Sequence, residues 1–209
     1  MPDFDVERRH FESGRRRIAG VDEAGRGALC GPVVAAAVIL PSKFLRGRLP
    51  SWLRKADDSK LLTPRRRAEL VPLIAAEAES VGLGLATHRE IDRLNIFRAS
   101  HLAMRRAVET LSVIPDIVLV DGPALRDFPF PQDPIPQGDR RCYSIAAASI
   151  VAKVVRDGIM SFSEVLFPGY GFERNKGYGT RAHYEALEAR GPSSFHRRSF
   201  KLQYQRKLF

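Results

Sequence analysis

A short, wholly apolar segment that ends at an acidic residue limits the possible folds of this chain more than any other feature. Between Asp116 and Asp121 the sequence reads Ile-Val-Leu-Val. Strands of parallel sheets have such uninterrupted runs because helices cover both of their faces. Further extended segments are predicted at residues 17–21, 32–40 and 81–87, and helical patterns separate the later ones. The order of these elements predicts an α/β fold with a mixed central sheet flanked by helices.

Capping residues and apolar spacing predict where the helices begin. Thr63-Pro64 is typical of a helix start, because the hydroxyl accepts an early backbone N–H and proline lacks one that would stay unpaired. Asn95 is predicted to cap an amphipathic helix over residues 96–111. A third helix, rich in small residues, is predicted over residues 143–167.

Two other segments are predicted to lack regular structure. Residues 1–16 are polar and mixed in charge, which predicts a flexible N-terminal arm, and the proline-rich residues 128–137 predict a loop. From Gly169 onwards the sequence predicts short helices joined by loops.

The charge of the chain indicates a polyanionic partner. Lys and Arg number 34 against 24 Asp and Glu, a net charge of +10, and residues 171–209 hold nine of the basic residues and only three acids. Such a surplus favours nucleic acid as the partner, although a soluble enzyme can also simply be basic. The longest apolar runs are about ten residues, half the length of a bilayer-spanning helix, so no membrane segment is predicted. Cys30 and Cys142 lie far apart, which predicts a reduced, cytoplasmic protein without a disulfide framework.

Acidic residues stand where predicted strands end. Asp22 and Glu23 follow the first strand, Asp121 ends the most apolar one, and Asp139 follows a glycine ahead of a helix. Any one of them could simply cap backbone N–H groups. Carboxylates that are brought together must protonate or bind a cation, and oxygen ligands without Cys or His favour Mg²⁺ or Mn²⁺. On a chain that binds a polyanion, such a site indicates phosphoryl transfer.

The adjacent pair Asp22 and Glu23 raises a geometric question. Neighbours on a regular strand point to opposite faces, so the two share a site only if the strand twists or bends there, or if Glu23 contributes its backbone oxygen. Gly25 makes a bend possible.

The chain resembles the type 2 ribonucleases H (ribonuclease HII) in a series of motifs that follow the family's order. The motifs cover residues 17–200 and are Ala-Gly-Val-Asp-Glu-Ala-Gly-Arg-Gly (19–27), Asp-Ser-Lys (58–60), Leu-Asn-Ile (94–96), Val-Asp-Gly (120–122), Gly-Asp (138–139), Ser-Ile-Ala-Ala-Ala-Ser (144–149), Asn-Lys-Gly-Tyr-Gly-Thr (175–180) with His183, and His-Arg-Arg-Ser-Phe (196–200).

The resemblance implies a fold, an activity and a substrate. It implies a ribonuclease H-like catalytic domain over residues 17–167 and a small basic helical extension over residues 168–209. It also implies a monomer that cleaves the RNA strand of RNA–DNA hybrids and incises duplex DNA at single embedded ribonucleotides. Cleavage on the 5′ side of the ribonucleotide would leave a 3′-hydroxyl and a 5′-phosphate.

The resemblance also assigns roles to individual residues. The catalytic acids and ligands of two divalent cations, Mg²⁺ or Mn²⁺, would be Asp22, Glu23, Asp121 and Asp139. The backbone of Gly25, Arg26 and Gly27 would read the ribose 2′-hydroxyl, Tyr178 would contact the hydroxyl and the next sugar, and Ser59 and Lys60 would contact phosphates.

Several of these residues have an alternative interpretation. Tyr178 could be a core tyrosine at a turn, and Lys60 an ordinary surface lysine. Arg197, Arg198 and Lys201 suit a general electrostatic contact with a duplex. Asp157 is interpreted as structural, and neither His183 nor His196 as a metal ligand.

The sequence departs from the family pattern at two positions. Ala28 stands where the family often has proline, and Gln137 where lysine is common. The first change should only loosen the bend after Gly27. The second removes a cation near the acids.

Two other functions compete with the ribonuclease hypothesis. A junction resolvase or strand-transfer enzyme would share the acids but need no reader of a 2′-hydroxyl. A non-catalytic module that binds hybrid duplexes would be expected to lack one or more of the acids, and all are present.

Overall fold

A mixed five-stranded sheet forms the centre of the structure. The computed structural model describes residues 2–47, 49–55 and 62–203. The strands lie in the order β3-β2-β1-β4-β5, in which β1 pairs antiparallel with β2 and β2 with β3, while β1 and β4, and β4 and β5, are parallel. Their bounds are β1 Ile18–Ala24, β2 Val33–Ile39, β3 Ser80–Ala86, β4 Ile117–Asp121 and β5 Gln132–Ile135.

Helices cover both faces of the sheet. They are α1 Asp5–Glu12, α2 Lys43–Arg46, α3 Pro64–Glu77, α4 His88–Leu94, α5 Ile96–Glu109, α6 Tyr143–Leu166, α7 Phe172–Asn175 and α8 Arg181–Arg190, with 3₁₀ turns at Leu53–Lys55 and Gly138–Arg140. One apolar cluster joins the sheet to α3 and α6, and another joins its opposite face to α4 and α5. The α/β fold with a mixed, helix-flanked sheet is confirmed.

The capping residues start the helices as predicted. The Thr63 side chain accepts the N–H of Arg66 at the start of α3, and the Asn95 side chain accepts that of Arg98 at the start of α5. Helix α3 runs through Pro72 without ending there.

Glycines let two helices lie directly on the sheet. A Cβ at Gly20 of β1 would lie 2.3 Å from backbone atoms of Ser144 and Ile145, where α6 begins. Gly82 and Gly84 of β3 give α5 the same close approach. These contacts fix α6 over β1, which determines which α6 side chains reach the end of that strand.

The prediction of a loose arm at residues 1–16 is wrong for the described part of that segment. Phe4 is 1% exposed and packs on Tyr143 with ring centroids 4.9 Å apart. Glu7 is buried and accepts the backbone N–H of Ser144 at 3.0 Å and its hydroxyl at 2.8 Å. Polar residues outnumber apolar ones in this segment, but Phe4 and Val6 are enough to dock α1.

Two further elements were not predicted. Residues 132–135 form strand β5 rather than loop, and Pro134 is tolerated there because β5 is an edge strand. Helix α4 begins with a capping box between Thr87 and Glu90. This signal is present in the sequence and was overlooked.

The C-terminal part, which includes α7 and α8, packs around a separate apolar cluster. Its buried members are Leu29, Cys30, Met160, Tyr170, Phe172 and Leu187. The domain bounds predicted from the sequence stay predictions. Cys30 and Cys142 are both free and buried. Within the described ranges, no helix has the length and apolar character needed to cross a bilayer.

Candidate active site

Two acidic side chains meet because their strands are parallel neighbours. Val21 of β1 lies beside Val120 of β4, and each strand continues by one residue to Asp22 and Asp121. Both acids lie on the face of the sheet on which α6 packs. The Ser149 hydroxyl of α6 donates a hydrogen bond to Asp22. Both side chains line one cavity of about 560 Å³.

Glu23 lines the same cavity as Asp22, which answers the question of strand geometry. The side chain of Glu23 is 8% exposed and pairs with Arg26 at 3.3 Å. Arg26 lies in the turn that follows β1, so the chain bends back towards Glu23 at this point. The predicted sharing of one site by Asp22 and Glu23 is therefore what the structure has.

Asp139 lies beside this cavity rather than in its wall. It is buried in the turn Gly138–Arg140, directly before α6. The N–H of Gly138 donates to Oδ1 of Asp121 at 2.6 Å, and a Cβ at position 138 would come within 2.4 Å of Ile145. The turn thus attaches Asp139 to the site through the contact of Gly138 with Asp121.

The three cavity acids disfavour one another's charged form. Burial raises the pKa of Asp22 well above its ordinary value, and the neighbouring charges of Glu23 and Asp121 raise it further, while the Ser149 hydrogen bond opposes this. Burial also raises the pKa of Glu23, against the lowering effect of Arg26. A bound cation would relieve this repulsion.

Basic and polar side chains complete the cavity wall. The sequence analysis assigned Gly25, Arg26, Gly27 and Tyr178 to the site, and all four line the cavity. It missed Arg67, Ser149 and Lys153, which line it too. Ser149 and Lys153 are four residues apart in an otherwise apolar stretch of α6, and this spacing was the available signal.

Tyr178 lines the cavity, and its ring contacts two cations. Its ring centroid is 5.2 Å from Nζ of Lys153 and 5.1 Å from Cζ of Arg156. The residue is half-buried, and its backbone forms an antiparallel bridge with Ala28. The ring is thus part of the cavity wall rather than of the core, so its functional interpretation is the better supported one.

Ala28 suits its position because its N–H donates to the carbonyl of Gly25 at 3.3 Å, a bond that proline could not make. Gln137 is exposed in the left-handed conformation, with φ of 56°.

Ser59 and Lys60 fall outside the described residues, so their proposed phosphate contacts stay predictions. Asp157 pairs with Lys153 at 2.8 Å and lies 3.8 Å from Arg67, as its structural interpretation requires.

The interpretation of Arg197 as a surface contact for the duplex is wrong. The residue is fully buried, and its guanidinium donates to four backbone carbonyls. Arg198 and Lys201 are exposed, as an electrostatic contact would need.

Cys30, His183 and His196 form a buried cluster whose ligand atoms lie within 4.8 Å of one another. The ring Nδ1 of His196 accepts the N–H of Ser193, so Nε2 of His196 carries the proton and donates to Nε2 of His183 at 3.1 Å. His183 in turn donates from Nδ1 to the carbonyl of Tyr178 at 2.9 Å. This continuous chain of hydrogen bonds uses the nitrogen atoms that a metal would need, and it supports the backbone of Tyr178.

Comparison with known proteins identifies the family. A family model for ribonuclease HII matches residues 19–203. The ribonuclease HII of Geobacter sulfurreducens is 50% identical over 198 residues, which are 95% of this chain and 88% of that protein. The chain belongs to the ribonuclease HII family. The ribonuclease HII of Moorella thermoacetica is 52% identical over 196 residues, which cover 93% of this chain and 91% of that protein.

The fold agrees with this assignment. The crystal structure of ribonuclease H2 from Pyrococcus horikoshii OT3 matches with a TM-score of 0.70 and 25% sequence identity, covering 89% of this chain and 94% of that one. The resemblance and the ribonuclease H-like fold predicted from the motifs are both confirmed. As a member of the ribonuclease HII family, the chain is a metal-dependent endoribonuclease, a hydrolase, and it cleaves the RNA strand of RNA–DNA hybrids.

The cavity of this ribonuclease HII fits a divalent cation. Its acidic donors are carboxylate oxygens, the ligands that hard cations prefer, and the burial of Asp22 and Glu23 makes their charges costly without one. One of these acids, Glu23, pairs with Arg26 at 3.3 Å.

Proposed function

We propose that this ribonuclease HII incises duplex DNA at single embedded ribonucleotides as well as cleaving longer hybrids. Hydrolysis on the 5′ side of the ribonucleotide would leave a 3′-hydroxyl and a 5′-phosphate. The catalytic acids would be Asp22, Glu23, Asp121 and Asp139, which would hold two divalent cations, Mg²⁺ or Mn²⁺.

The observation that carries the proposal is the shared cavity of the acids and a glycine turn. Gly25, Arg26 and Gly27 line the same cavity as Asp22 and Asp121. Gly27 is exposed, and a Cβ added to it would meet no atom of the described residues within 4 Å apart from its chain neighbours. The fold itself therefore leaves space at Gly27, and a glycine there suits the close approach of a substrate backbone.

The roles of the protein groups follow from their positions. Cations bound by the acids would activate the attacking water and neutralise the departing oxygen. Ser149 fixes the Asp22 carboxylate, and the N–H of Gly138 fixes that of Asp121, so both ligands are oriented before substrate binds. Lys153 adds a positive charge to the cavity wall, where a phosphate of the substrate would lie.

Recognition of the ribose would use the turn and Tyr178. The 2′-hydroxyl is the group by which a protein distinguishes RNA from DNA. Backbone N–H groups of the turn would donate to it, and the phenol of Tyr178, whose backbone bridges Ala28 next to the turn, would contact the hydroxyl and the next sugar. A junction resolvase or a strand-transfer enzyme has no use for this arrangement, and a non-catalytic module has no use for the acids.

A second, basic cavity continues the path for the duplex. It has a volume of about 480 Å³ and is lined by Phe97, Arg98, His101, Arg105 and Arg126, among others. Burial lowers the pKa of His101, and the nearby charges of Arg26 and Arg126 lower it further. Phosphates flanking the cleaved bond would follow this basic cavity.

We also propose that the enzyme acts as a monomer in the cytoplasm. Cys30 and Cys142 are free thiols, as a reducing compartment would keep them.

One cleavage experiment tests the proposed activity. Three labelled duplexes of one sequence are compared, with a single ribonucleotide, with a fully RNA strand and with DNA only, while Mg²⁺ or Mn²⁺ is titrated. The expected result is metal-dependent cleavage of the first two, with a 3′-hydroxyl and a 5′-phosphate, and none of the third. Cleavage of the DNA duplex would indicate a resolvase-like enzyme, and binding without cleavage at any metal concentration would indicate a non-catalytic module.

A further inference from the structure

Arg197 is a buried cation in contact with the glycine turn. The residue is fully buried, and Nη2 and Nη1 donate to the carbonyls of Gly25 and Arg26, each at 2.8 Å. Nε donates to the carbonyl of Gly31 at 3.0 Å, and Nη2 also reaches that of Pro32 at 3.3 Å. One guanidinium therefore binds both ends of the segment 25–32.

Carbonyl oxygens take the place of a carboxylate here. In the described parts of the chain, no carboxylate lies within ion-pair distance of Arg197. Burial, together with the charge of the neighbouring Arg156, lowers the pKa of Arg197 to about 9. A buried charge is costly unless it is fully hydrogen-bonded, so a buried arginine at this position needs those carbonyls turned towards it.

The geometry of the peptide bond transfers this constraint to the opposite side of the turn. In a trans peptide the C=O and the following N–H point in opposite directions, and the described residues contain no cis peptide. Because the carbonyls of Gly25 and Arg26 point at Arg197, the N–H groups of Arg26 and Gly27 point away from it. Neither N–H has a hydrogen-bond partner among the described residues. Both residues line the acidic cavity.

Arg156 connects the same turn to Tyr178. Its Nε donates to the carbonyl of Pro32 at 3.2 Å and its Nη1 to that of Lys176 at 3.0 Å, and its guanidinium carbon lies 5.1 Å from the Tyr178 ring centroid. A Cβ at Gly25 would lie 1.9 Å from Nε of Arg156, so the turn rests directly on this side chain.

We infer that Arg197 is a positioning residue for ribose recognition, which holds the N–H groups of Arg26 and Gly27 as preformed donors facing the cavity. This inference rests on the proposed function, because the group that the donors would meet is the ribose 2′-hydroxyl. Arg197 itself touches no substrate. Its effect is to hold the two donors in place before the duplex arrives, so that no turn rearrangement opposes binding.

The test is the preference for a ribonucleotide in binding. Affinities are measured for a duplex with one ribonucleotide and for the same duplex in DNA, using the Asp121→Asn protein with Mg²⁺ so that cleavage does not interfere. Arg197→Lys keeps the charge but not the fork of donors that spans several carbonyls. We expect it to lower the preference by about 10-fold, as the loss of two ordinary hydrogen bonds would. The exposed Arg65→Lys on α3 is the matched control and should leave the preference unchanged.

Each outcome decides a separate point. A folded Arg197→Lys protein, judged by its thermal unfolding, that retains the full preference would overturn the inference while leaving the proposed function intact. Absence of any preference in the Asp121→Asn protein itself would refute ribonucleotide recognition, and the inference with it. Should Arg197→Lys fail to fold, amide exchange in the Asp121→Asn protein decides. Protection of the Arg26 and Gly27 amides by the ribonucleotide duplex but not by the DNA duplex supports the inference, and equal exchange in both overturns it.

Discussion

Gly25 and Gly27 lie two residues apart, and the structure needs them for different reasons. Gly25 has a φ of 100°, which side chains rarely adopt, and a Cβ there would collide with Arg156. Gly27 has neither constraint, since the part of the chain that the structure describes leaves open space around it. The first glycine therefore serves the fold, and the second serves the substrate.

This difference predicts opposite results for two alanine variants. Gly25→Ala should lower the free energy of unfolding by about 1–3 kcal/mol, the usual cost of a strained backbone. Gly27→Ala should change it by less than about 0.5 kcal/mol, as for other surface substitutions, yet slow cleavage at a single ribonucleotide. Denaturant unfolding and kcat/KM measure the two effects. A Gly27→Ala enzyme with wild-type kcat/KM would show that no substrate group approaches this turn closely.

Tyr178 makes a second residue-scale prediction. Tyr178→Phe removes only the hydroxyl and should cost about 1 kcal/mol, or roughly 5-fold in kcat/KM. Tyr178→Ala also removes the ring that contacts the sugar, so it should cost more, and most of all with a single embedded ribonucleotide. Long hybrids offer many productive registers and should be less affected. Equal losses on both substrates would make Tyr178 a general duplex contact, and no loss would make it a packing residue.

At this scale the sequence predicted the acids and the glycine turn that line the acidic cavity better than the residues that support them. Asp22, Glu23 and Asp121 could be located because each stands at the end of an apolar strand. Arg197 could not, because a run of arginines near the C-terminus is typical of an exposed basic surface. Its burial depends on the carbonyls of a turn more than 160 residues earlier in the chain, and no local pattern reveals such a contact.

At the scale of the elements, the contact between α1 and α6 should make the free energy of unfolding depend on pH. Burial raises the pKa of Glu7 to about 7, against the lowering effect of the Ser144 hydrogen bonds. The folded protein therefore binds a proton more tightly than the unfolded chain does. The contribution of the Glu7 proton to the free energy of unfolding is complete below about pH 4.5 and is lost as the pH rises through about 7.

Glu7→Gln should remove this pH dependence. At pH 8 the variant should exceed the wild type in unfolding free energy by up to about 3 kcal/mol, because the buried charge is gone. The difference should shrink as the pH falls towards 4.5. Urea unfolding across this range measures it, with the exposed Glu12→Gln on the same helix as control. A difference between Glu7→Gln and wild type that stays constant with pH would mean that Glu7 is ionised in both states.

The elements that the sequence missed are those whose stability comes from their neighbours. Strand β5 contains a proline and few apolar residues, and it is a strand because β4 offers it a free edge. Helix α1 is polar by composition, and a few buried side chains dock it on α6. By contrast β2, β4, α3 and α5 were predictable, because apolar runs or caps within each element determine them.

On the scale of the whole molecule, the net charge of +10 predicts binding that depends strongly on salt. The basic cavity along α5 lies next to the acidic one and is our proposed path for the flanking duplex. Arg98 and Arg126 are two of its exposed cations. The exposed Arg65 and Arg181 lie on α3 and α8 and provide a pair of equal charge for comparison.

Neutralising the cavity pair should reduce the salt dependence of binding. For Arg98→Gln with Arg126→Gln, the slope of log affinity against log salt should fall by about 0.9 for each lost phosphate contact. Arg65→Gln with Arg181→Gln should leave the slope unchanged. Affinity for a DNA-flanked ribonucleotide duplex, measured over a series of salt concentrations, gives both values. Equal slopes for the two pairs would place the duplex elsewhere.

The central claim is that the acids at the ends of β1 and β4 carry metal-dependent cleavage. The most direct measurement is the single-turnover cleavage rate of an RNA–DNA hybrid by Asp121→Asn, with Asp157→Asn as the control acid. Asp121→Asn should bind the hybrid as well as the wild type and cleave it at least about 100-fold more slowly, since several kcal/mol of metal stabilisation are lost. Asp157→Asn should cleave at nearly the wild-type rate. Substantial cleavage by Asp121→Asn at saturating Mg²⁺ would contradict the account.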